Sequence, residues 1–167
     1  MAVPGSFLVL SACILGLFHV EATPDTLSSL DSSFCHGGLE VIYPELDIDE
    51  CIIIPKDQEL REKVSTVWKA PQIYFSRGHK VREGDALKRG QIQGTTLSDY
   101  YPPTPPQKSG FHRYQFMLFE QLPDAPVSLT KQEKSSRGKW DLQAFVTRFD
   151  LGEPVATLQF LTQNYKD

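Results

Sequence analysis

Residues 111–121, FHRYQFMLFEQ, constrain the fold more than any other stretch. Successive side chains of an extended chain point to opposite sides. Tyr114, Phe116 and Leu118 therefore share one face, and Gln115, Met117 and Phe119 the other. Both faces are largely apolar, which predicts an interior strand covered on both sides. The stretch opens on His112 and Arg113, an imidazole and a guanidinium ahead of the apolar run. Such a pair is either a solvated cap on a core strand or the wall of a small anionic-ligand site.

The chain has 167 residues, a length that favours one domain. Its net charge of −4 does not suggest general affinity for nucleic acid or anionic membranes. The apolar run from Phe7 to Phe18 is too short to span a bilayer, so no transmembrane segment is expected. With small residues at Val20-Glu21-Ala22 the pattern reads as a signal peptide over 1–22, cleaved after Ala22, followed by a single domain over 23–167. The alternative is a buried N-terminal helix. Secretion, or delivery to a lysosome or another secretory lumen, follows from the first reading. Cleavage removes Cys13 and leaves Cys35 and Cys51 as an even pair in an oxidising compartment. A disulfide across such a loop contributes about 3 kcal/mol in the chain-entropy view. Two free buried thiols are the alternative. No metal site is expected, since no histidine stands at ligand spacing beside the two cysteines. Asn164 is the only asparagine, and its context gives no glycosylation sequon.

Along the chain, residues 23–33 read as a loose polar leader. GLEVIYPEL (38–46) reads as a strand ending at Pro44, and CIIIP (51–55) as a second short strand. Leu60, Val64 and Val67 allow a helical turn or two. Ile73 and Phe75 alternate as on a strand. Residues 76–94 are charged and glycine-rich, with an edge segment near the end. TTLSDYYPPTPPQKSG (95–110) must be an irregular surface loop whose X-Pro bonds can include a cis form. Leu142, Phe145, Val146 and Phe149 form the one clear amphipathic helical stripe, within 135–154. Residues 155–165 return as a last strand. The fold class is mainly β with one amphipathic helix.

Three blocks carry a resemblance: CHGGLEVIYPELDIDECIIIP, KRGQIQGTTLSDYYPPTPPQKSGFHRYQF, and RGKWDLQAFVTRFDLGEPVATLQFLTQNY. Together they resemble the phosphatidylethanolamine-binding protein (PEBP) family, and the leader and cysteine pair point to its secreted branch. The resemblance implies a β-sandwich with a pocket at one end for phosphate-like anions and phospholipid head groups. Onto this chain it carries Gly110, His112 and Tyr114 as ligand-binding residues, with Arg113 inside the motif. The family's Asp-Pro-Asp-x-Pro turn has no counterpart: Ser76 to Gly84 fill that interval, as in an isoform that skips a coding segment. The sandwich is then expected to be incomplete, lacking core strands and exposing edges. His79 is a candidate remnant of the family's second histidine. PDAP at 123–126 reads as an unrelated turn.

Strand alternation puts His112 and Tyr114 on one face and turns Arg113 away, toward a structural ion pair. Lys80, Arg82, Lys88 and Arg89 read as a solvated loop. Trp68 and Trp140 read as packing residues, and Tyr100 and Tyr101 as pocket rim or packed loop. No G-x-S-x-G, H-E-x-x-H or P-loop occurs. Ser109 precedes His112 without a third group to orient the imidazole, so neither an enzyme nor a cofactor is expected. The leading expectation is a secreted, non-enzymatic binder of phospholipid head groups or similar anions that modulates signalling proteins. The alternatives are a protein-interaction module working through the proline loop 102–106, and a poorly folded chain without a ligand.

Overall fold

A computed structural model of the chain describes residues 6–14, 26–77 and 90–167. Among these, eight strands form two sheets. The first holds β1 (Ser6–Ile14), β7 (His112–Gln121), β8 (Ala156–Thr162) and β4 (Ile52–Ile53), in that order. The second holds β3 (Leu46–Ile48), β2 (Leu39–Tyr43), β5 (Gln72–Phe75) and β6 (Gly90–Gln91). The expected mainly-β class is what the chain adopts. No helix among the described residues is long and apolar enough to cross a membrane.

The predicted interior strand is interior. β7 pairs antiparallel with β8, from His112↔Thr162 to Leu118↔Ala156, and antiparallel with β1 on its other side. Its two faces feed two cores. Phe116 and Leu118 meet Leu39, Val41 and Tyr43 of the second sheet, which makes the two sheets a sandwich. Met117 and Phe119 face the opposite way, into a layer with Val127, Phe145 and Leu151. Phe145 belongs to the amphipathic helix, whose helical residues are Leu142–Arg148 with Asp141 as N-cap accepting from the Ala144 amide. Trp68 stacks on Tyr43 at 5.4 Å, and Trp140 packs on Phe145 at 4.7 Å, so both tryptophans are packing residues.

Several local expectations change. The strand expected to end at Pro44 does so, as β2, but a further strand follows it: Pro44 and Glu45 make a tight turn, and Tyr43↔Leu46 closes a β2–β3 hairpin. Part of the supposed loose leader is helix α1 (Ser29–Ser33), capped by Ser28. Residues 57–67 wind from a 3₁₀ turn into one α-turn (α2, Leu60–Glu62) and then a π-turn; Val67 at its end is 65% exposed. A further short helix, α3 (Lys131–Ser135), is held by a capping box between Thr130 and Glu133; we number the Leu142–Arg148 helix α4. No cis peptide bond occurs among the described residues. The interval expected to be shortened, 76–84, lies outside them from residue 78 onward, as do His79, Lys80, Arg82, Lys88 and Arg89. The alternative of a buried N-terminal helix is not what residues 6–14 form. They form β1.

Cys35 and Cys51 are bonded, with Cα atoms 5.6 Å apart, and tie the approach to β2 to the start of β4. Between them Gly37 has φ +86°; a Cβ there would lie 2.3 Å from the Val155 carbonyl oxygen. Only glycine lets the chain pass this close to β8, where His36 bridges Thr157. The disulfide closes a 16-residue separation, so a Cys35→Ala/Cys51→Ala chain is expected to lose about 3 kcal/mol in urea unfolding. An unchanged midpoint would contradict a stabilising bond.

Candidate functional site

The turn at 106–109 delivers the chain into β7. Ser109 donates its hydroxyl to the Pro106 carbonyl at 2.6 Å, and its amide bonds the same oxygen at 3.3 Å. Lys108 is held at φ +62° and Gly110 at φ +74°. Open space surrounds the position of a Gly110 Cβ, so the glycine answers a backbone need rather than a steric one. His112 follows, half-buried, with its Nε2 2.6 Å from the Ser109 oxygen. A carbonyl only accepts, so the single Ser109 proton goes to Pro106. The imidazole must then donate Nε2–H to Ser109, which leaves Nδ1 as the free acceptor of the neutral ring. Among the described residues Nδ1 has no hydrogen-bond partner. Burial pulls the His112 pKa below its ordinary value of 6.5, so the ring is neutral at pH 7 and charges only on acidification.

Tyr114, on the same face as expected, stacks its ring on Phe160 at 5.4 Å with 22° between planes. Arg113 turns the other way. It makes a two-pronged contact with Asp31, Nε to Oδ1 at 2.5 Å and Nη2 to Oδ2 at 3.3 Å. The structural ion-pair reading of Arg113 is the one the geometry supports. Asp31 also accepts from Ser28 and from Gln159 Nε2, and Gln159 Oε1 accepts from Gln115. Burial pushes the Asp31 carboxyl up, but the bonds from Arg113 and Ser28 outweigh it and hold the pKa below 3.8. The same contact raises the guanidinium pKa.

Two residues near this mouth carry no pattern that marks them as site residues. Ser109 fixes the tautomer of His112, which only the turn geometry reveals. Asp167 accepts from the Lys108 amide at 2.9 Å, and its negative charge works against an anion there. Tyr100, expected at a rim or in a packed loop, is packed: its hydroxyl meets that of Tyr43 at 2.8 Å, and burial raises both pKa values. Tyr101 is exposed, with the Arg137 guanidinium 5.4 Å over its ring.

A cavity of about 280 Å³ lies elsewhere, beside the disulfide, lined by Cys35, His36, Asp49, Glu50, Cys51 and Thr157. Thr157 is five residues along β8 from Thr162, the partner of His112, so the two places are roughly 17 Å apart. Two carboxylates on its wall oppose an anion. Among the described residues no group of three or more His, Cys, Asp or Glu side chains is placed to hold a metal.

The family model described as phosphatidylethanolamine-binding protein matches residues 52–163, which include β4, β5, β7, β8 and the whole 106–114 turn and strand start. With the match spanning well over half of the sequence and the two sheets formed as described, the chain belongs to the phosphatidylethanolamine-binding protein family.

Proposed function

We propose that the chain is a non-enzymatic binder of phosphate-type anions, among them phospholipid head groups, that engages them at the mouth of β7. The observation that carries the reading is the half-buried imidazole of His112, whose Nδ1 has no partner among the described residues, beside the exposed positive-φ backbone of Gly110. Protonated, Nδ1–H becomes a donor to a phosphate oxygen, and Tyr114 supplies a backed aromatic wall. Family membership supports small-ligand binding of this kind. Secretory delivery rests on the leader-like run and agrees with the Cys35–Cys51 bond, which suits an oxidising compartment. A signalling role would follow from competition for head groups or phosphorylated partners.

The Ser109–His112 contact argues against nucleophilic catalysis. A serine nucleophile gives its proton to the imidazole, whereas here the serine proton is committed to the Pro106 carbonyl. The proline loop is a weaker interaction motif than its sequence suggests. Pro103 and Pro105 are buried, and the Pro105 carbonyl accepts from Asn164, so those rings are not free to dock on a partner.

The test is titration with phosphorylethanolamine, followed by the His112 ring signals. Because the imidazolium is the stronger donor, affinity should rise as pH falls below 6.5, and bound anion should raise the His112 pKa in turn. His112→Ala should lose the pH-dependent part of binding, at least about tenfold near pH 5.5. Saturable binding that His112→Ala leaves unchanged at both pH values would remove the site from this place.

A further inference from the structure

β1 is built from the segment whose composition reads as a leader, yet it is packed as a working strand. Its nine residues pair in unbroken antiparallel register with β7, from Ser6↔Gln121 to Ile14↔Arg113. The side chains divide between the two cores. Phe7 and Val9 pack on the sandwich core, where the Phe7 ring lies 5.3 Å from that of Phe75 in the second sheet. Leu8 and Leu10 pack on the opposite cluster around Met117, Phe119 and Phe145. Ser11 is exposed. Without this segment β7 would present a ten-residue edge whose apolar residues lose cover on both sides.

We infer that the outer edge of β7 is a strand-docking site for an extended segment apolar on both faces, and that its occupant in the folded chain is residues 6–14 of the same chain. The inference applies to the chain that keeps residues 1–22; a chain cleaved after Ala22 lacks this occupant. Main-chain bonds along the ladder supply the attachment, and the alternation of Phe7/Val9 with Leu8/Leu10 supplies the register. A one-residue slip would exchange the sets between the two cores, so the site is selective for phase as well as for apolar character.

The full chain tests this directly by hydrogen exchange read out on fragments. Fragments spanning 6–14, 112–121 and 156–162 should all exchange slowly, at least about tenfold below their unfolded rates. Full exchange of 6–14 with 156–162 still protected would overturn the inference. Protection of 6–14 that falls on dilution would overturn the assignment to the same chain, since a second copy would then be the donor. Leu8→Lys and Val9→Lys in the full chain should each release β7 protection, whereas Ser11→Lys should not. Adding a synthetic peptide of residues 6–14 to Leu8→Lys should restore β7 protection, and a scrambled peptide should not. Restoration by both peptides would show that phase is not read, and parent-like protection in Leu8→Lys would show that the edge does not depend on this strand.

Discussion

Phe160→Ala is expected to destabilise the protein by about 4 kcal/mol, within the upper range for truncating a single core side chain. Phe160 is fully buried, in the middle of β8. Its ring stacks on Tyr114, meets Tyr43 edge-on at 6.5 Å with 79° between planes, and lies 6.1 Å from Phe116. It is thus the residue through which the two sheets and the mouth of β7 share one contact set. Neighbours fixed in paired strands cannot collapse into the space, so the cavity remains and adds to the lost transfer energy. A domain of this size is stable by only about 5–15 kcal/mol, so the variant stands near the limit of folding. Phe149→Ala offers the contrast: Phe149 is half-buried in the other cluster and should cost clearly less. Urea unfolding of both variants checks the order; an equal loss would mean that the sandwich core is not the tighter of the two. Because Tyr114 leans on Phe160, the folded fraction of the variant should also bind phosphorylethanolamine more weakly.

What is legible in the sequence follows from where burial imposes a period. β7 can be read because it is apolar on both faces, and α4 because Leu142, Phe145, Val146 and Phe149 repeat at helical spacing. The disulfide follows from the two cysteines that remain once the leader reading sets Cys13 aside, and Arg113's outward turn from strand alternation. The remainder lacks such a signal. α1 and α3 bury little: Asp31 in the first, nothing in the second. They are held by caps at Ser28 and Thr130, and the Ser-x-x-Asp at 28–31 and Thr-x-x-Glu at 130–133 are their readable traces. β1 is hidden for the opposite reason. A short run apolar in nearly every position satisfies a leader, a buried helix and a doubly covered strand alike, and only its pairing with β7 separates them. At the site, strand alternation puts His112 and Tyr114 together, but the protonation pattern depends on Ser109 and Pro106 meeting across a turn. His79 and the basic residues between 80 and 89 lie outside the described residues, and their expected roles rest on the sequence alone.

Arg113→Ala is expected to cost about 3 kcal/mol at neutral pH, and the loss should shrink as the solution is acidified. The guanidinium is part-exposed, but its partner is not: Asp31 keeps only 5% of its surface. Removing the arginine leaves a buried carboxylate with two neutral donors, Ser28 and Gln159, in place of a two-pronged cation. Its folded pKa, now below 3.8, should then rise above the unfolded value. In the parent, the depressed pKa contributes stability that is present above the unfolded value and is lost as pH falls through the folded one. In the variant the sign reverses, and the protonated acid is the form that folding prefers. The gap between the two proteins is therefore widest near pH 7; it starts to narrow as pH falls through the variant's raised pKa, and narrows further only below 3.8, where the parent's Asp31 takes up its proton in turn. Asp31→Asn placed on Arg113→Ala should recover part of the neutral-pH loss, since the amide needs no counter-charge. A gap that stays constant across this range would show that Arg113 acts through packing of its stem alone. The pair ties α1 to the start of β7 on the face opposite His112, so the parent-like pH dependence of anion binding should survive in whatever fraction of Arg113→Ala remains folded. That separation of stability from binding is what distinguishes a structural arginine from one that holds the ligand.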